Sequence, residues 1–563
     1  MYAENNILVG ANENTEVYLL SKLANRHGLI AGATGTGKTV TLKTLAEAFS
    51  DMGVPVFLAD MKGDVSGLAK VGEPNAKVTE RMEKYKLADK GFVFKSYPVE
   101  FWDLYGEKGL PIRVTISEMG PQLLSKILNL SEAQEGVLNI VFRVADDENL
   151  LLIDLKDLKS MINHVSDNAE LYESQYGAVA KKSATTLLRS ILTLEDQGGD
   201  LFFGEPALEL SDFMQCNDEG KGMINVLDSV KLSTAPELYS TFLLWMISEL
   251  YETMPEVGDL DKPKFVFFFD EAHLLFDDMS PAFQKKVEQI IRLIRSKGIG
   301  VYFITQSPSD IPDTVLSQLG NRVQHALHAY TPKEQKAVKT AAETFRPNPE
   351  FDTTEVISTL GTGEALVSVL EEKGAPSIVQ QVDILPPQSY IGAIEDNYRA
   401  ELMSISSLRG KYRDAVDRES AYEMLLNKID NNPNVQSEIP QDAPIREIPN
   451  QAEQAPAQQA PTQQAPAEQQ APAQQTPTQQ APAEQQAPAQ TQAPEQPKQK
   501  GLLEDVIGIA VGTAVDQMTK QTTKSKRKTT RKTTVEKATT TVVNTAAREV
   551  TKGIIRGLFG NMK

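Results

Sequence analysis

The residues best suited to chemistry in this sequence form one glycine-rich run, Gly32-Ala-Thr-Gly-Thr-Gly-Lys-Thr39. This run fits the phosphate-binding pattern G-x-x-x-x-G-K-[ST], in which glycines let successive backbone N–H groups point at an anion. Lys38 can then reach the β- and γ-phosphates of a nucleotide, and the Thr39 hydroxyl can bind Mg²⁺. The residues expected to contact the nucleotide are Gly32, Thr34, Gly35, Thr36, Gly37, Lys38, Thr39 and Val40.

A second run suited to chemistry begins with five apolar residues, Phe265–Phe269, and continues directly into Asp270 and Glu271. Proteins that hydrolyse ATP at such a phosphate loop need an apolar strand that ends in an acidic pair. Asp270 would hold Mg²⁺, and Glu271 would polarise the attacking water as general base. Because both motifs occur in the right order, the sequence predicts a site for ATP and Mg²⁺ at which the nucleotide is hydrolysed.

Other polar residues near predicted strand ends are candidates for the same site. Gln306 could sense the γ-phosphate or hold the catalytic water, or it could merely cap a strand. Arg322 could act as a finger that stabilises transition-state charge in a neighbouring subunit, or form a surface salt bridge; Arg295 is a second candidate finger. A spacing of three places His325 and His328 on opposite faces of a strand, which favours core or surface histidines over metal ligands.

The elements that must hold these residues alternate between strand and helix patterns. An apolar run at 27–32 precedes the phosphate loop, and apolar residues at helical spacing follow it at 40–49. A further apolar run at 54–60 ends in an acidic residue. Because ligand residues at the carboxyl ends of alternating strands are typical of doubly wound sheets, we predict an α/β fold with a mostly parallel sheet.

The sequence divides into four regions by composition and pattern. Residues 440–500 consist largely of Pro, Gln and Ala without an aromatic residue, so they cannot bury enough apolar surface to order themselves. The predicted regions are an ATPase domain at 1–390 with a helical insertion at about 118–200, a helical extension at 391–435, a disordered linker at 436–500, and a short basic helical tail at 501–563.

Charge is unevenly distributed along the 563 residues, whose formal net charge is −19. Residues 501–563 carry 12 Lys and Arg against 5 Asp and Glu, so an acidic body precedes a basic tail. The one cysteine, Cys216, excludes an intramolecular disulfide. The sequence shows neither a signal peptide nor an apolar run of transmembrane length, so we expect a cytoplasmic protein without a transmembrane segment.

Four motifs together resemble those of one family of nucleotide-driven motors. They lie at residues 27–39, 268–273, 304–306 and 320–323. The combination resembles the HerA/FtsK branch of P-loop motors over roughly residues 5–390. Within that branch the chain is similar to the YjgR-like, HerA C-terminal-domain group of bacterial ATPases, which carry sequences similar to residues 59–66 and 203–207.

The resemblance implies a RecA-like core, use of ATP and Mg²⁺, and a homo-hexameric ring with ATP sites between subunits. It further implies a DNA translocase or helicase-like ATPase that acts on double-stranded DNA. HerA proper carries an N-terminal β-barrel that docks a nuclease, whereas about thirty residues precede the phosphate loop here. FtsK-type membrane helices and the DNA-reading winged helix are also not evident.

Two other functions remain open from the residues. Relatives in the same branch energise secretion, so the protein could remodel or move an unidentified protein partner. Alternatively, the tail could associate with a membrane surface, because residues 508–512 and 553–557 have small-xxx-small spacing around a basic stretch. A helical hairpin that packs on itself explains the same pattern.

Overall fold

The strands in the described part of the chain form one mixed sheet of thirteen strands. The computed structural model describes residues 2–3, 6–258, 260–276 and 281–430, so the predicted linker and tail lie outside the described residues. The strands are β1 Tyr2–Ala3, β2 Asn6–Ala11, β3 Glu16–Leu20, β4 Gly28–Ala31, β5 Val56–Asp60, β6 Val99–Asp103, β7 Leu110–Pro111, β8 Ile224–Asp228, β9 Phe265–Phe269, β10 Ile299–Thr305, β11 Asn321–Gln324, β12 Glu364–Ser368 and β13 Gln380–Ile384.

The sheet runs in the order β1-β2-β13-β12-β11-β4-β10-β9-β5-β8-β6-β7, and β3 pairs with β2. Every pair from β11 to β7 is parallel. The pairs from β1 to β11, and the β2–β3 pair, are antiparallel. The predicted α/β class with a mostly parallel sheet is therefore confirmed, and the antiparallel flank was not predicted.

Helices cover both faces of the parallel part of the sheet. The helices in the described residues are α1 Lys38–Asp51, α2 Ala76–Lys84, α3 Ile116–Ile127, α4 Glu132–Asp147, α5 Leu155–Asp167, α6 Ala169–Tyr176, α7 Lys181–Asp196, α8 Gly199–Phe202, α9 Pro236–Thr253, α10 His273–Phe276, α11 Pro281–Ile294, α12 Asp313–Leu316, α13 Pro332–Glu343, α14 Thr353–Thr359, α15 Asp396–Ile405, α16 Arg409–Tyr412 and α17 Ala421–Asp430. None of them is long and apolar enough to span a membrane.

The sequence of strand β9 is a continuous apolar run because the strand lies in the middle of the sheet and is covered on both faces. All five of its residues are fully buried. Phe265, Phe267 and Phe269 join the core on the α9 side, whereas Val266 and Phe268 join the core on the α1 side. A parallel strand that is covered on both faces needs apolar residues at every position.

Helices α3 to α8 occupy residues 116–202, where we predicted a helical insertion, and lie in sequence between β7 and β8. Their apolar faces share the core on the α9 side of the sheet. Helix α3 begins with a capping box in which Thr115 and Glu118 exchange side-chain to backbone hydrogen bonds. Gly120 departs from helical geometry within it and precedes Pro121, so α3 is kinked.

The residues after β13 return across the sheet as an extended segment followed by α15 to α17. The buried Glu47 of α1 accepts hydrogen bonds from the backbone N–H groups of Gln388 and Ser389 at 2.8 and 2.9 Å. Farther along, the Arg399 guanidinium lies 2.9 Å from the Asp228 carboxylate, and both side chains are less than a tenth exposed. The segment is therefore attached to α1 and to the end of β8 by buried charged groups.

A buried asparagine offers a test of the sheet's packing. Asn225 in β8 donates to the carbonyls of Val56 and Phe213 and accepts from the Trp102 indole N–H at 3.1 Å. Asn225→Ala should lower the free energy of unfolding by about 2–4 kcal/mol, because three buried polar groups lose their partner. Denaturant unfolding would measure this, with the exposed Asn14→Ala as matched control; equal midpoints for the two variants would contradict the assignment.

Candidate nucleotide site

The parallel register places the carboxyl ends of four strands at one edge of the sheet. Ala31 at the end of β4 pairs with Thr305 at the end of β10, and Phe269 of β9 pairs with Phe303 of β10. Leu58 of β5 pairs with Phe268 of β9. The phosphate loop, the acidic pair and the turn after β5 therefore follow strand ends at the same edge.

The phosphate loop, residues 32–39, joins β4 to α1, as predicted. Gly35 and Gly37 have φ values of +81° and +122°, a backbone region that favours glycine. The Lys38 ammonium donates to the Gly32 carbonyl at 2.5 Å and to the Ala33 carbonyl at 3.2 Å, so it lies inside its own loop. Within the described residues no side chain caps the first turn of α1. Backbone N–H groups and a lysine thus converge as an anion-binding arrangement.

A buried histidine supports the phosphate loop from below. The His325 ring contacts the Thr41 hydroxyl at 2.8 Å through Nε2 and the Glu364 carbonyl at 3.0 Å through Nδ1. A carbonyl can only accept, so Nδ1 carries the proton and Nε2 accepts from Thr41. A Cβ added at Gly32 would lie 2.5 Å from the His325 Cβ, and one at Gly37 would lie 3.2 Å from its Cε1. The neutral imidazole therefore fills the space that these glycines leave.

Sequence reasoning placed His325 among core or surface histidines and missed its place under the loop. The structure buries it fully, and His328 is exposed. A second buried histidine, His27, precedes β4 with a φ of +58°. Its Nδ1 accepts from the Val301 N–H at 3.0 Å, so its Nε2–H donates to the Ile291 carbonyl at 2.8 Å. One neutral imidazole, His27, thus holds the start of β4, and another, His325, holds the phosphate loop that follows this strand.

The acidic pair follows β9 in a strained turn. Glu271 has a φ of +47°, which is uncommon for a residue with a side chain, and such strain is frequent at functional sites. The Tyr239 hydroxyl of α9 donates to the Asp270 carbonyl at 2.8 Å and so positions the turn. Burial, and then the charge of Glu271, raise the pKa of Asp270 to about 7. The two carboxylates are therefore crowded in a poorly solvated place.

One carboxylate oxygen of Glu271 is able to accept a hydrogen bond from a water molecule. Its Oε2 is buried and accepts no hydrogen bond from the described residues. The His273 Nδ1 lies 3.5 Å from this oxygen, and that ring is charged only when protonated. An unpaired buried oxygen of this kind is available to a water or to the hydration shell of a metal ion.

The turn after β5 adds further charges to this edge. The Asp60 carboxylate accepts from the backbone N–H groups of Lys62, Gly63 and Val65 at 3.3, 2.7 and 3.0 Å. Burial, and then the neighbouring Asp64, raise the pKa of Asp60 to about 6. The sequence predicts an acidic residue at the end of this strand, but it does not predict that Asp60 lies near Asp270 and Glu271.

The polar residue after β10 lies where the sequence predicted a site residue. Gln306 is exposed directly after β10, between the ends of β4 and β9. The preceding Thr305 hydroxyl donates to Asp310 at 2.7 Å, which fixes the chain as it leaves the strand. An exposed amide at this point is free to contact a phosphate or a water, and its role stays a prediction.

The Arg322 guanidinium is bound by backbone carbonyls of its own chain. Its guanidinium donates to the carbonyls of Leu319, Thr344 and Leu316 at 2.9, 2.8 and 2.8 Å. Arg322 thus forms no salt bridge within the described residues, and its side chain joins residues 316–319 to Thr344. A finger role in a neighbouring subunit stays a prediction.

The donor set at this edge fits a Mg²⁺ ion. A hydroxyl, Thr39, and a carboxylate, Asp270, are the hard oxygen ligands that this ion prefers. A divalent cation would offset the crowding that raises the pKa of Asp270. The described residues hold no cluster of three or more histidine, cysteine or acidic residues for a metal. Such a set suits an ion that keeps waters and phosphate oxygens as ligands.

The buried His325 predicts a pH-dependent stability. Burial lowers its pKa to about 4, whereas histidine in an unfolded chain titrates near 6.5. Its stabilising contribution is therefore complete above about pH 6.5 and is lost as the pH falls towards 4. The difference in unfolding free energy between the wild type and His325→Gln should shrink by on the order of 2 kcal/mol from pH 8 to pH 5. Denaturant unfolding at both pH values measures it.

The exposed His328→Gln is the matched control for this experiment, because it removes an imidazole that is not buried in the folded protein. A difference for His325→Gln that does not change with pH would show that the imidazole is not held neutral under the loop.

Comparison with curated proteins finds relatives of moderate similarity. A probable helicase of Methanocaldococcus jannaschii is 24% identical over 361 residues, covering 63% of this chain and 62% of the relative. The DNA double-strand break repair helicase HerA of Sulfolobus acidocaldarius is 21% identical over 369 residues, covering 64% of this chain and 65% of the relative. The chain thus spans less than two thirds of the length of either.

Comparison with solved structures includes the bacterial conjugative coupling protein TrwB. That likeness has a TM-score of 0.45 at 14% sequence identity and covers 70% of this chain and 92% of the solved TrwBdeltaN70 chain. The model of the family described as helicase HerA-like C-terminal matches residues 5–481. This match confirms the resemblance inferred from the motifs. Because the model covers most of the sequence, the protein belongs to the helicase HerA-like C-terminal family.

Proposed function

We propose that the protein hydrolyses ATP with Mg²⁺ and couples hydrolysis to movement along double-stranded DNA. The observation that carries the proposal is the convergence of Lys38, Asp270 and Glu271 at one sheet edge, where one oxygen of Glu271 accepts no hydrogen bond from the described residues. Family membership supports it, because the relatives are described as helicases.

Each residue of the site has a part in this hydrolysis. Lys38 and the loop N–H groups bind the phosphates, and Thr39 and Asp270 would hold Mg²⁺, which neutralises charge on the β- and γ-phosphates. Glu271 takes a proton from the attacking water, and Gln306 orients that water. The water oxygen bonds to the γ-phosphorus, the bond to the bridging oxygen breaks, and ADP leaves with the electron pair.

We further propose that the protein forms a homo-hexameric ring in the cytoplasm and that each ATP is bound between two subunits. Arg322 would then face a neighbouring site as a finger. For that role its guanidinium would have to exchange three hydrogen bonds to its own subunit's carbonyls for contacts with a phosphate. The double-stranded DNA would lie in the ring, where phosphate contacts require basic side chains at the pore.

ATP hydrolysis with and without double-stranded DNA tests both parts of the proposal. Lys38→Ala and Glu271→Gln should each reduce the rate about a hundredfold or more, because each removes charge that acts in the transition state. The exposed variants Lys77→Ala and Glu73→Gln are matched controls and should retain the wild-type rate. DNA should raise the wild-type rate, and this stimulation should fall steeply between about 50 and 200 mM salt.

Two outcomes would contradict separate parts of the proposal. Hydrolysis that survives in Lys38→Ala and Glu271→Gln would place the chemistry elsewhere. Hydrolysis that is lost in both variants but is indifferent to DNA at low salt would retain the ATPase and remove the DNA translocase.

A further inference from the structure

The turn after β5 holds a lysine that the assigned site residues do not include. Lys62 lies two residues beyond the end of β5, and the Asp60 carboxylate accepts a hydrogen bond from its backbone N–H at 3.3 Å. The same carboxylate binds the N–H groups of Gly63 and Val65, and Gly63 has a φ of +77°. The backbone position of Lys62 is therefore fixed by the turn and not left to a loose loop.

The register of the sheet places this turn beside the acidic pair. Because Leu58 pairs with Phe268 in parallel strands, two further residues along each strand lead to Asp60 and Asp270. Strand β5 is three strands from β4, which is about 14 Å at the usual spacing. Lys62 thus faces the phosphate loop across the ends of β9 and β10.

The charge of Lys62 acts on both sides of the site. It is near enough to repel the Lys38 ammonium and to attract the Asp270 carboxylate. Among the described residues its own ammonium forms neither an ion pair nor a hydrogen bond, and the side chain is exposed. By contrast, Lys38 donates to two loop carbonyls and the buried Lys43 donates to the Tyr390 carbonyl.

Two ammonium groups that repel each other at one site are stabilised when an anion lies between them. In the proposed binding mode the phosphate loop would hold the phosphates that ADP and ATP share, and the terminal phosphate of ATP would project from the loop towards the acidic pair. A cation on the far side of that pair would then meet the terminal phosphate alone.

We propose that Lys62 is a second phosphate-binding cation of the site, which contacts the terminal phosphate of ATP opposite Lys38 and stabilises charge on it during hydrolysis. The inference rests on the proposed hydrolysis of ATP. When the attacking water bonds to the γ-phosphorus and the bond to the bridging oxygen breaks, the water proton passes to Glu271 and the electron pair stays on ADP. Lys62 offsets negative charge on the equatorial oxygens of the γ-phosphoryl group.

The test compares Lys62→Gln with Lys77→Gln, which removes an equally exposed lysine on α2. Calorimetric titration with ATPγS and with ADP should show that Lys62→Gln loses about tenfold in affinity for ATPγS and less than about threefold for ADP. Its kcat should fall about tenfold or more. Lys62→Arg keeps the charge and should recover part of both losses, and Lys77→Gln should match the wild type.

The affinity ratio separates this inference from the proposed function. If the wild type binds ATPγS but does not hydrolyse ATP, the proposed function fails while the preference for ATPγS over ADP still tests Lys62. The inference is overturned if Lys62→Gln keeps the wild-type preference and rate, or if it loses ATPγS and ADP to the same extent.

Discussion

The site depends on the parallel register of strands that are buried on both faces. Since β9 is covered by the α1 core on one face and by the α9 core on the other, a shift of its pairing with β5 and β10 by one residue would exchange the side chains of its two faces. Three phenylalanines would then leave the core on the α9 side, which is packed around them. That register alone sets where Asp270 and the turn at Asp60 emerge. Asp60 and Asp270 therefore lie near each other in a buried place. Burial raises the pKa of both carboxyl groups.

Neutral polar groups provide the rigid frame around these charges. His27 and His325 are buried and uncharged near neutral pH, since burial lowers the pKa of each to about 4. Each ring accepts one hydrogen bond and donates another, so it links separate segments without adding a charge. A protonated His325 would be repelled by Lys38, and a protonated His27 would be repelled by Arg295 and Arg26. Either ring would also lose the acceptor that its neighbour needs.

The parts of the fold and site that depend on local sequence were predictable. The loop between β4 and α1, and the acidic pair after β9, follow from glycine conformation, helix spacing and an apolar run. The antiparallel flank was not predicted, because β2 pairs with β13, which is about 370 residues later in the chain. His325 under the loop was missed for the same reason, since its partners Thr41 and Glu364 come from distant segments.

Helix α1 carries two charged residues that are buried, although its sequence suggests that they are exposed. Lys43 and Glu47 interrupt its apolar spacing, and a sequence suggests that such residues face solvent. Both are buried because the segment after β13 supplies the Tyr390 carbonyl to Lys43 and two N–H groups to Glu47. A hydrogen bond to a buried charged group contributes about 1.5–3 kcal/mol, so these contacts favour packing of the helix that presents the phosphate loop against the C-terminal segment. The buried ion pair of Asp228 and Arg399 attaches the same C-terminal segment to the end of β8, which extends this constraint along the edge of the sheet.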